Sequence, residues 1–401
     1  MFSVLQCAAL LNPYSLLSFM SFLNRILIVT AALLTFSAQA SVIVPSAPQL
    51  DATAYILIDA DSGQVLVEKN ADQRLPPASL TKMMTSYIAA HELELGNVEE
   101  NVSVPISVKA WRKKGSRMFV REGTQVPLID LLRGIIVQSG NDASVAVAEY
   151  FSGSEEAYVD WMNQYAERFG MNNTQFKNAT GWPADGHYST ARDMATLSLR
   201  IVKDHPKYYP IYAEKYYEYN GIRQPNRNKL LWRDPSVDGL KTGHTDEAGF
   251  CLAASAIKDG TRFIAVVMGT RSEEARARET QKLLAYGFRY FETHKLYAAD
   301  EVLQTKKVWL GEQEEVSLGL SGDLYLTLPR GSKGELEIDM ISNEFIEAPI
   351  EQGQAIGTLV VRMAGEVQAE RALVAQNAVE EAGFFGRLMG KIKLFFAKLF
   401  A

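Results

Sequence analysis

Three short motifs, in a fixed order along a chain of 401 residues, constrain the fold more than any other feature of this sequence. They are Ser79-Leu80-Thr81-Lys82, Ser139-Gly140-Asn141 and Lys241-Thr242-Gly243. Each motif is common on its own, because Ser-x-x-Lys occurs on many helix surfaces and Ser-Gly-Asn in many turns. Together they provide a hydroxyl nucleophile, an amine base, a second hydroxyl and a cationic strand. These groups suit acyl transfer at a serine without a histidine triad.

The first motif is predicted at the start of a buried helix. It follows Pro76-Pro77, and proline is excluded from helix interiors. The side chains that come next recur at the spacing of one helix face. They are Leu80, Met83, Met84, Tyr87, Ile88 and His91. Because residues three apart share a face of a helix, the Lys82 amine is expected within reach of the Ser79 hydroxyl.

The second motif is predicted at a junction between two helices. Leucine and isoleucine side chains repeat at helical spacing over residues 128–136, and a further helical stretch covers residues 142–150. Ser139 and Asn141 are therefore expected between the two helices.

The third motif is predicted on a sheet strand. Two apolar runs follow it, at residues 250–257 and 262–268, and Asp259-Gly260 lies between them. This pattern is typical of an antiparallel hairpin. Lys241 is then expected on or just before a strand, with its charge and the Thr242 hydroxyl toward a cleft.

These motifs and the sequence around them resemble the D-alanyl-D-alanine carboxypeptidases, low-molecular-mass penicillin-binding proteins with a C-terminal β domain and a membrane anchor. The likeness runs from about residue 45 to the C-terminus. It is carried by residues 55–63, 76–82, 187–193, 226–228 and 237–245. The resemblance implies an α+β domain of the serine β-lactamase and transpeptidase type, with an antiparallel sheet and a helical cluster. A small all-β sandwich domain would follow it.

The resemblance also implies the catalytic roles. Ser79 would attack the carbonyl of the penultimate D-alanine of a peptidoglycan pentapeptide, and Lys82 would act as general base. A lysine can do this only when neutral, and burial together with the charge of Lys241 is expected to lower its pKa. Ser139 would pass the proton to the departing D-alanine nitrogen. β-Lactam antibiotics would acylate Ser79, because they mimic the terminal dipeptide.

Substrate-binding residues are implied in the same way. They are Asn141, Arg227, Lys241, Thr242, Gly243 and His244. Asn141 would hold the substrate amide, and Lys241 with Thr242 would take the terminal carboxylate. Arg227 is a candidate second cation, and its alternative role is a structural ion pair. Backbone N–H groups of Ser79 and His244 are the expected oxyanion hole.

Other functions are open at this point: a serine β-lactamase, a D,D-endopeptidase, or an envelope protein that binds peptidoglycan without catalysis. Class A β-lactamases add a glutamate that activates the deacylating water. No Glu-x-x-x-Asn or Glu-x-x-Leu-Asn run occurs between Asn141 and Lys241, so slow hydrolysis of β-lactams is expected. The intact set of catalytic side chains argues against a purely binding role.

Residues 1–40 have the pattern of a cleaved secretory signal peptide. They contain one cation, Arg25, no acidic residue, and an apolar run at residues 26–36 before a small-residue cleavage site. Met20 is an alternative start to Met1. Cleavage of residues 1–40 would remove Arg25 and change the net charge from −6 to −7. This acidity argues against nucleic acid as a partner. The histidines show no metal-ligand spacing, so neither a metal nor another cofactor is expected.

The C-terminal part of the chain changes from helical to alternating patterns. Leu324, Leu326 and Leu328 alternate with polar or aromatic residues, which predicts a β-sandwich domain at residues 301–378 after a catalytic domain at 41–300.

Residues 383–401 have an apolar helical face, and their charges are all basic. This predicts an amphipathic helix on an anionic membrane surface, with a core-packing helix as the alternative. Together with the signal peptide, it places the protein on the periplasmic face of the bacterial inner membrane.

Overall fold

Seventeen strands and nine helices are found in the computed structural model, which describes residues 44–400. The strands are β1 Ala54–Asp59, β2 Val65–Lys69, β3 Ser103–Pro105, β4 Gln125–Pro127, β5 Tyr216–Tyr219, β6 Ile222–Pro225, β7 Val237–Thr245, β8 Gly249–Lys258, β9 Thr261–Thr270, β10 Phe291–Tyr297, β11 Gln304–Trp309, β12 Glu315–Gly319, β13 Leu324–Pro329, β14 Leu336–Ser342, β15 Ile346–Glu347, β16 Ala355–Met363 and β17 Glu366–Ala375. The helices are α1 Lys82–Glu94, α2 Val108–Arg112, α3 Leu128–Ile136, α4 Asn141–Ser152, α5 Glu155–Arg168, α6 Ala191–Asp204, α7 Leu230–Arg233, α8 Glu273–Tyr290 and α9 Phe384–Phe400. The predicted signal peptide at residues 1–40, and with it the choice between Met1 and Met20, lies outside the described residues.

The first part of the molecule is built on five antiparallel strands in the spatial order β2–β1–β9–β8–β7. β8 and β9 form the predicted hairpin, and Asp259 and Gly260 at its turn both have positive φ. The third motif lies within β7, as predicted. β7 is an edge strand of this sheet, so one side of its backbone has no strand partner within the described residues.

Apolar layers cover both faces of this sheet. Ala54, Ile56 and Ile58 of β1 belong to the core on the side of the helical cluster, while Tyr55 and Leu57 belong to the core formed with α8. Because side chains alternate along a strand, β1 lies between the two layers. This arrangement confirms the predicted α+β class.

The helices that carry the first two motifs lie in the helical cluster. α1 is buried along most of its length. α3 has the bounds predicted for it, and α4 begins at Asn141, one residue earlier than predicted. Ser139 and Asn141 therefore lie at the junction of two helices, as expected.

The C-terminal part is a β domain. β10 pairs with β13, and six more strands form a sheet in the order β14–β16–β17–β12–β11–β15. The buried side chains of Leu324, Leu326 and Leu328 confirm the alternation predicted in β13. β14 is less well covered than its pattern indicates, since Ile338 is 38% exposed. The predicted domain boundary at residue 300 falls after β10, whose strand partner is in this β domain.

α9 presents most of its apolar side chains to solvent. Phe385 is 79% exposed, and Leu394 is the one buried side chain of α9. Lys398 links the helix to the β domain by an ion pair of 2.8 Å with Glu347. The alternative of a core-packing helix is therefore not supported. Within residues 44–400, no helix combines the length and the apolar character needed to cross a bilayer.

Candidate active site

Ser79 lies in a 3-10 turn that runs directly into α1, so the first motif lies at the start of a buried helix as predicted, but its first turn is 3-10 and not α-helical. The turn covers Ala78–Thr81, and α1 begins at Lys82. Ala78 has a φ of +47°, a strained value for alanine that stops the helix from extending backwards. A 3-10 turn has three residues per turn, so Ser79 and Lys82 still lie one above the other. The expected contact is present, with 2.9 Å between Ser79 Oγ and Lys82 Nζ.

Lys82 is a buried amine whose surroundings favour its neutral form. Its side chain is fully buried, and this burial, with the charges of Arg227 and Lys113, lowers the pKa of Lys82 to about 7. The Asp142 carboxylate acts in the opposite direction. From the sequence, we expected the charge of Lys241 to help lower the pKa of Lys82. In the structure that role falls to Arg227 and Lys113.

A loop between α5 and α6 holds the Lys82 amine from the other side. The Thr180 carbonyl accepts a hydrogen bond from Lys82 Nζ. Asn178 Oδ1 shapes this loop, because it accepts from the backbone N–H groups of Gly181 at 2.8 Å and Trp182 at 3.0 Å. Gly181 is required here, since its φ is +80° and an added Cβ would lie only 1.8 Å from the Ala78 carbonyl oxygen.

Ser139 has a buried hydroxyl with no hydrogen-bond partner among residues 44–400. Its φ of +68° is strained for a serine, and such strain is often found at functional positions. Asn141 has a structural contact as well as a place in the cleft, because its Nδ2 donates to the Lys114 carbonyl at 2.6 Å. Buried polar groups normally have partners, so the free Ser139 hydroxyl is suited to meet a substrate.

Asp142 positions the wall beside Asn141, and sequence reasoning did not predict this role. Its carboxylate accepts hydrogen bonds from the backbone N–H groups of Met118 at 2.9 Å and Phe119 at 2.8 Å. These bonds fix the loop that precedes β4. The partner residues lie more than 20 positions from Asp142 in sequence, so no local pattern could have revealed the contact.

Gly243 brings β7 against the nucleophile. An added Cβ at Gly243 would lie 3.1 Å from the Pro77 carbonyl oxygen and 3.3 Å from the Ser79 nitrogen. A larger residue would push the strand away. Because every second residue of a strand faces the same side, Lys241 projects to the same side as Gly243. His244 lines the cleft, and its ring stacks on Phe250 with 3.9 Å between centroids.

The cations of the site form one positive region. Lys241 is buried, and burial with the charges of Lys82, Arg227 and Arg276 lowers its pKa well below the ordinary value. Arg227 has no ion pair with any residue in the described part of the chain, so its alternative role as a structural ion pair has no support. Partial burial lowers its pKa as well, and Glu273 opposes that shift. An anion would relieve the mutual repulsion of these groups.

Two further side chains, His187 and Arg276, support the motifs. Nε2 of His187 lies 2.9 Å from Thr81 Oγ1, and burial lowers the pKa of this histidine to about 4. It therefore stays neutral near pH 7, and its contact with Thr81 links its loop to the first motif. Arg276 of α8 donates to the Gly243 carbonyl at 3.2 Å and was not foreseen.

These elements surround an open cleft of about 370 Å³. Its lining includes Ser79, Asn141 and His244, while Lys82, Ser139, Lys241 and Thr242 are buried behind its surface. Within the described residues, no three histidine, cysteine, aspartate or glutamate side chains come together as metal ligands. The arrangement can therefore activate Ser79 through Lys82 and bind an anionic group nearby.

Comparison with known protein families agrees with this geometry. Residues 41–272 match the family described as D-alanyl-D-alanine carboxypeptidase, and residues 291–381 match the one described as penicillin-binding protein 5, C-terminal domain. The chain is similar to the D-alanyl-D-alanine carboxypeptidase DacA of Escherichia coli strain K12. The two are 45% identical over 361 residues, which cover 88% of this chain and 90% of the relative.

Solved structures give the same result. Penicillin binding protein 5 from Haemophilus influenzae is similar with a TM-score of 0.82 and 42% identity, covering 84% of this chain and 100% of that one. Penicillin-binding protein D2 from Listeria monocytogenes, solved in an ampicillin bound form, is similar with a TM-score of 0.56 and 28% identity. That match covers 61% of this chain and 100% of the other.

Proposed function

The chain belongs to the D-alanyl-D-alanine carboxypeptidase family of serine peptidases, and from this premise we propose which of its groups carry the reaction. The reaction is hydrolysis of the peptide bond before the terminal D-alanine, through an acyl-enzyme. One observation carries the assignment: Ser79 Oγ lies 2.9 Å from a fully buried Lys82 amine whose pKa is about 7.

Acylation begins when Lys82 takes the Ser79 proton. Ser79 Oγ then attacks the carbonyl carbon of the penultimate D-alanine, and the carbonyl oxygen becomes an oxyanion. Backbone N–H groups of Ser79 and His244 stabilise this charge. The close approach of Gly243 to the Ser79 nitrogen supports this assignment. The backbone N–H group of His244 follows Gly243 directly and is therefore brought near Ser79.

The leaving group departs as a neutral amine. Ser139 gives its proton to the D-alanine nitrogen and receives one from Lys82, and the C–N bond breaks to leave an ester on Ser79. Water then hydrolyses the ester and regenerates the enzyme. The buried, unpartnered hydroxyl of Ser139 supports this role, since a group engaged in structure could not transfer a proton readily.

The terminal carboxylate of the pentapeptide binds at Lys241 and Thr242, with Arg227 as the second cation. Burial, together with the charges of Lys82, Arg227 and Arg276, lowers the pKa of Lys241 in the free enzyme. A bound carboxylate opposes that effect and favours the charged form of Lys241. Asn141 holds the substrate amide from the cleft wall.

β-Lactams acylate the same serine and leave slowly. The similar Listeria monocytogenes protein was solved in an ampicillin bound form, which supports this partner for the present chain. The deacylating glutamate of class A β-lactamases has no counterpart in the sequence between Asn141 and Lys241, and this favours slow release over rapid hydrolysis.

The enzyme acts on the periplasmic face of the bacterial inner membrane. The signal peptide at residues 1–40 exports it, and α9 lies on the membrane surface. Exposed phenylalanines on a helix with basic charges support the second point. The β domain, which begins with β10, then holds the catalytic domain away from the lipid.

Product analysis tests the activity against its alternatives. The purified protein is incubated with a D-Ala-D-Ala pentapeptide, with a cross-linked peptide dimer, and with benzylpenicillin. We expect free D-alanine from the pentapeptide, an intact dimer, and a penicillin adduct that persists for minutes. Ser79→Ala should give no product in any of the three assays.

Other outcomes would identify the alternatives. Cleavage of the dimer would indicate a D,D-endopeptidase, and release of hydrolysed penicillin within seconds would indicate a β-lactamase. A protein that binds peptidoglycan but gives no product and no adduct would be a binding protein without catalysis.

A further inference from the structure

Glu155 is a buried carboxylate that the mechanism above does not use. It is the first residue of α5 and is 5% exposed. Its Oε2 lies 3.5 Å from the Nζ atoms of both Lys109 and Lys113. These two ammonium groups offset the cost of burying its charge. Glu155 does not line the cleft, so an effect on the reaction has to pass through other groups.

The second oxygen of Glu155 holds the loop that contacts Lys82. Oε1 accepts a hydrogen bond from the Ala179 backbone N–H at 3.2 Å. The Ala179 carbonyl accepts another from Thr85 Oγ1 at 2.8 Å. Both polar backbone groups of Ala179 are therefore fixed, one by α5 and the other by α1. The next carbonyl along the loop, that of Thr180, accepts from Lys82 Nζ.

The Thr180 carbonyl determines how the Lys82 amine is oriented. A neutral amine has two N–H donors and one lone pair, and the lone pair must face the proton that it takes. When one N–H donates to Thr180, the lone pair can face Ser79 Oγ, which lies 2.9 Å away. A displaced carbonyl would let the amine turn an N–H toward Ser79 instead. Displacements of about 1 Å can lower a reaction rate by about a hundredfold.

Lys113 links Glu155 to a second segment of the site. Its charge is one of those that lower the pKa of Lys82. The next residue, Lys114, offers its carbonyl to Asn141 Nδ2 at 2.6 Å. Glu155 therefore lies between the loop described above and the segment that holds Asn141, and each of its oxygens contacts one of them.

We propose that Glu155 is a positioning residue for acylation: it holds Ala179 so that the following carbonyl orients the Lys82 amine toward Ser79. The hydrogen bond to Ala179 carries the effect, and the ion pairs with the two lysines make burial of the carboxylate possible. This inference rests on the proposed function, because it requires Lys82 to be the base that takes the Ser79 proton.

Two conservative variants separate the hydrogen bond from the charge. Glu155→Gln keeps an oxygen within reach of the Ala179 N–H and loses the charge. Glu155→Asp keeps the charge, but its side chain is one methylene shorter and its oxygens draw back from Ala179. We expect Glu155→Gln to acylate within about threefold of the wild-type rate and Glu155→Asp to be slower by about tenfold or more. A role in ion pairing alone predicts the opposite order.

The rate constant for acylation by benzylpenicillin is measured by stopped flow at about pH 9. Lys82 has a pKa of about 7, so its amine is neutral at this pH and the rate reports its position rather than its protonation. The final amount of adduct, from intact mass, gives the folded fraction separately. A variant that is merely destabilised would form less adduct with an unchanged rate constant.

Glu279 of α8 provides a matched control. Its carboxylate is also buried and lies 2.9 Å from each of two cations, those of Arg278 and Lys282. It does not line the cleft. Glu279→Gln and Glu279→Asp should therefore both acylate at the wild-type rate.

A Glu155→Gln variant that is no faster than Glu155→Asp would overturn this role, and so would Glu279 variants as slow as Glu155→Asp. If Glu155→Asp does not fold, Thr85→Val removes the other hydrogen bond to Ala179 and keeps the shape of the side chain. It should slow acylation by about threefold or more, and an unchanged rate would also overturn the proposal. A wild-type protein that forms no adduct on Ser79 would instead remove the proposed function, and this inference with it.

Discussion

At the scale of single residues, burial favours the neutral form of Lys82, which its proposed role as base requires. An exposed lysine is protonated near pH 7 and cannot accept a proton from serine. Complete burial beside other cations disfavours the charged form and lowers the pKa of Lys82 to about 7. The same burial holds the amine against Ser79 Oγ at 2.9 Å. In the proposed mechanism, the position that activates Ser79 therefore also determines the pH range in which Ser79 reacts.

The acylation rate should follow the neutral fraction of Lys82. Below pH 7 the amine is protonated, so the rate of acylation by benzylpenicillin should fall by about tenfold per pH unit; above pH 7 it should level off. Stopped-flow measurement between pH 5 and 9 checks this. Lys82→Arg is the control: a guanidinium stays protonated, and the rate should drop by about a hundredfold or more. A flat profile, or a fast Lys82→Arg variant, would exclude Lys82 as the base.

Sequence reasoning predicted the contact between the proposed catalytic residues better than the contacts that support them. The spacing of Ser79 and Lys82 was sufficient to predict their contact, because both lie in one turn. Asp142 and Arg276 could not be found this way, since each bonds a backbone group more than 20 residues away. These hydrogen bonds form only in the tertiary fold, and a short sequence motif does not predict them.

At the scale of elements, the site depends on an edge strand packed against a turn. β7 has a strand partner on one side only, within the described residues, and Gly243 allows it to approach the Ser79 turn. The strand, the α3–α4 junction and the hairpin were predicted from hydrophobic periodicity. The 3-10 turn was not, because it goes with a positive φ at Ala78, where the chain lies against the loop at Gly181, and hydrophobic periodicity does not show either feature.

α9 is expected to control membrane attachment without affecting catalysis. Deleting residues 383–401 removes the exposed phenylalanines and the basic charges, so binding to vesicles of anionic lipid should be lost in a flotation assay. Turnover of a soluble D-Ala-D-Ala peptide should stay within about twofold, because the helix contacts the β domain and not the cleft. Full binding by the truncated protein, or loss of turnover with binding retained, would contradict this assignment.

At the scale of the whole molecule, composition and pattern predicted the order of the parts but not how they join. The antiparallel sheet, helical cluster and C-terminal β domain were all expected. The junction between the β domain and the first part of the molecule was not predicted. At this junction Thr293 of β10 donates to the Asp59 carboxylate, and Ser62 Oγ lies 2.6 Å from Thr327 Oγ1. These contacts link the β domain to the end of β1. Single polar residues of this kind have no periodic signature in a sequence.

The account depends on Ser79 being the residue that forms the acyl-enzyme. Intact-mass and peptide-mass measurement after brief exposure to benzylpenicillin tests this most directly. We predict one adduct per molecule, located on the peptide that contains Ser79 and absent from Ser79→Ala. An adduct on another residue, or an unmodified wild-type protein that still releases D-alanine, would contradict the mechanism.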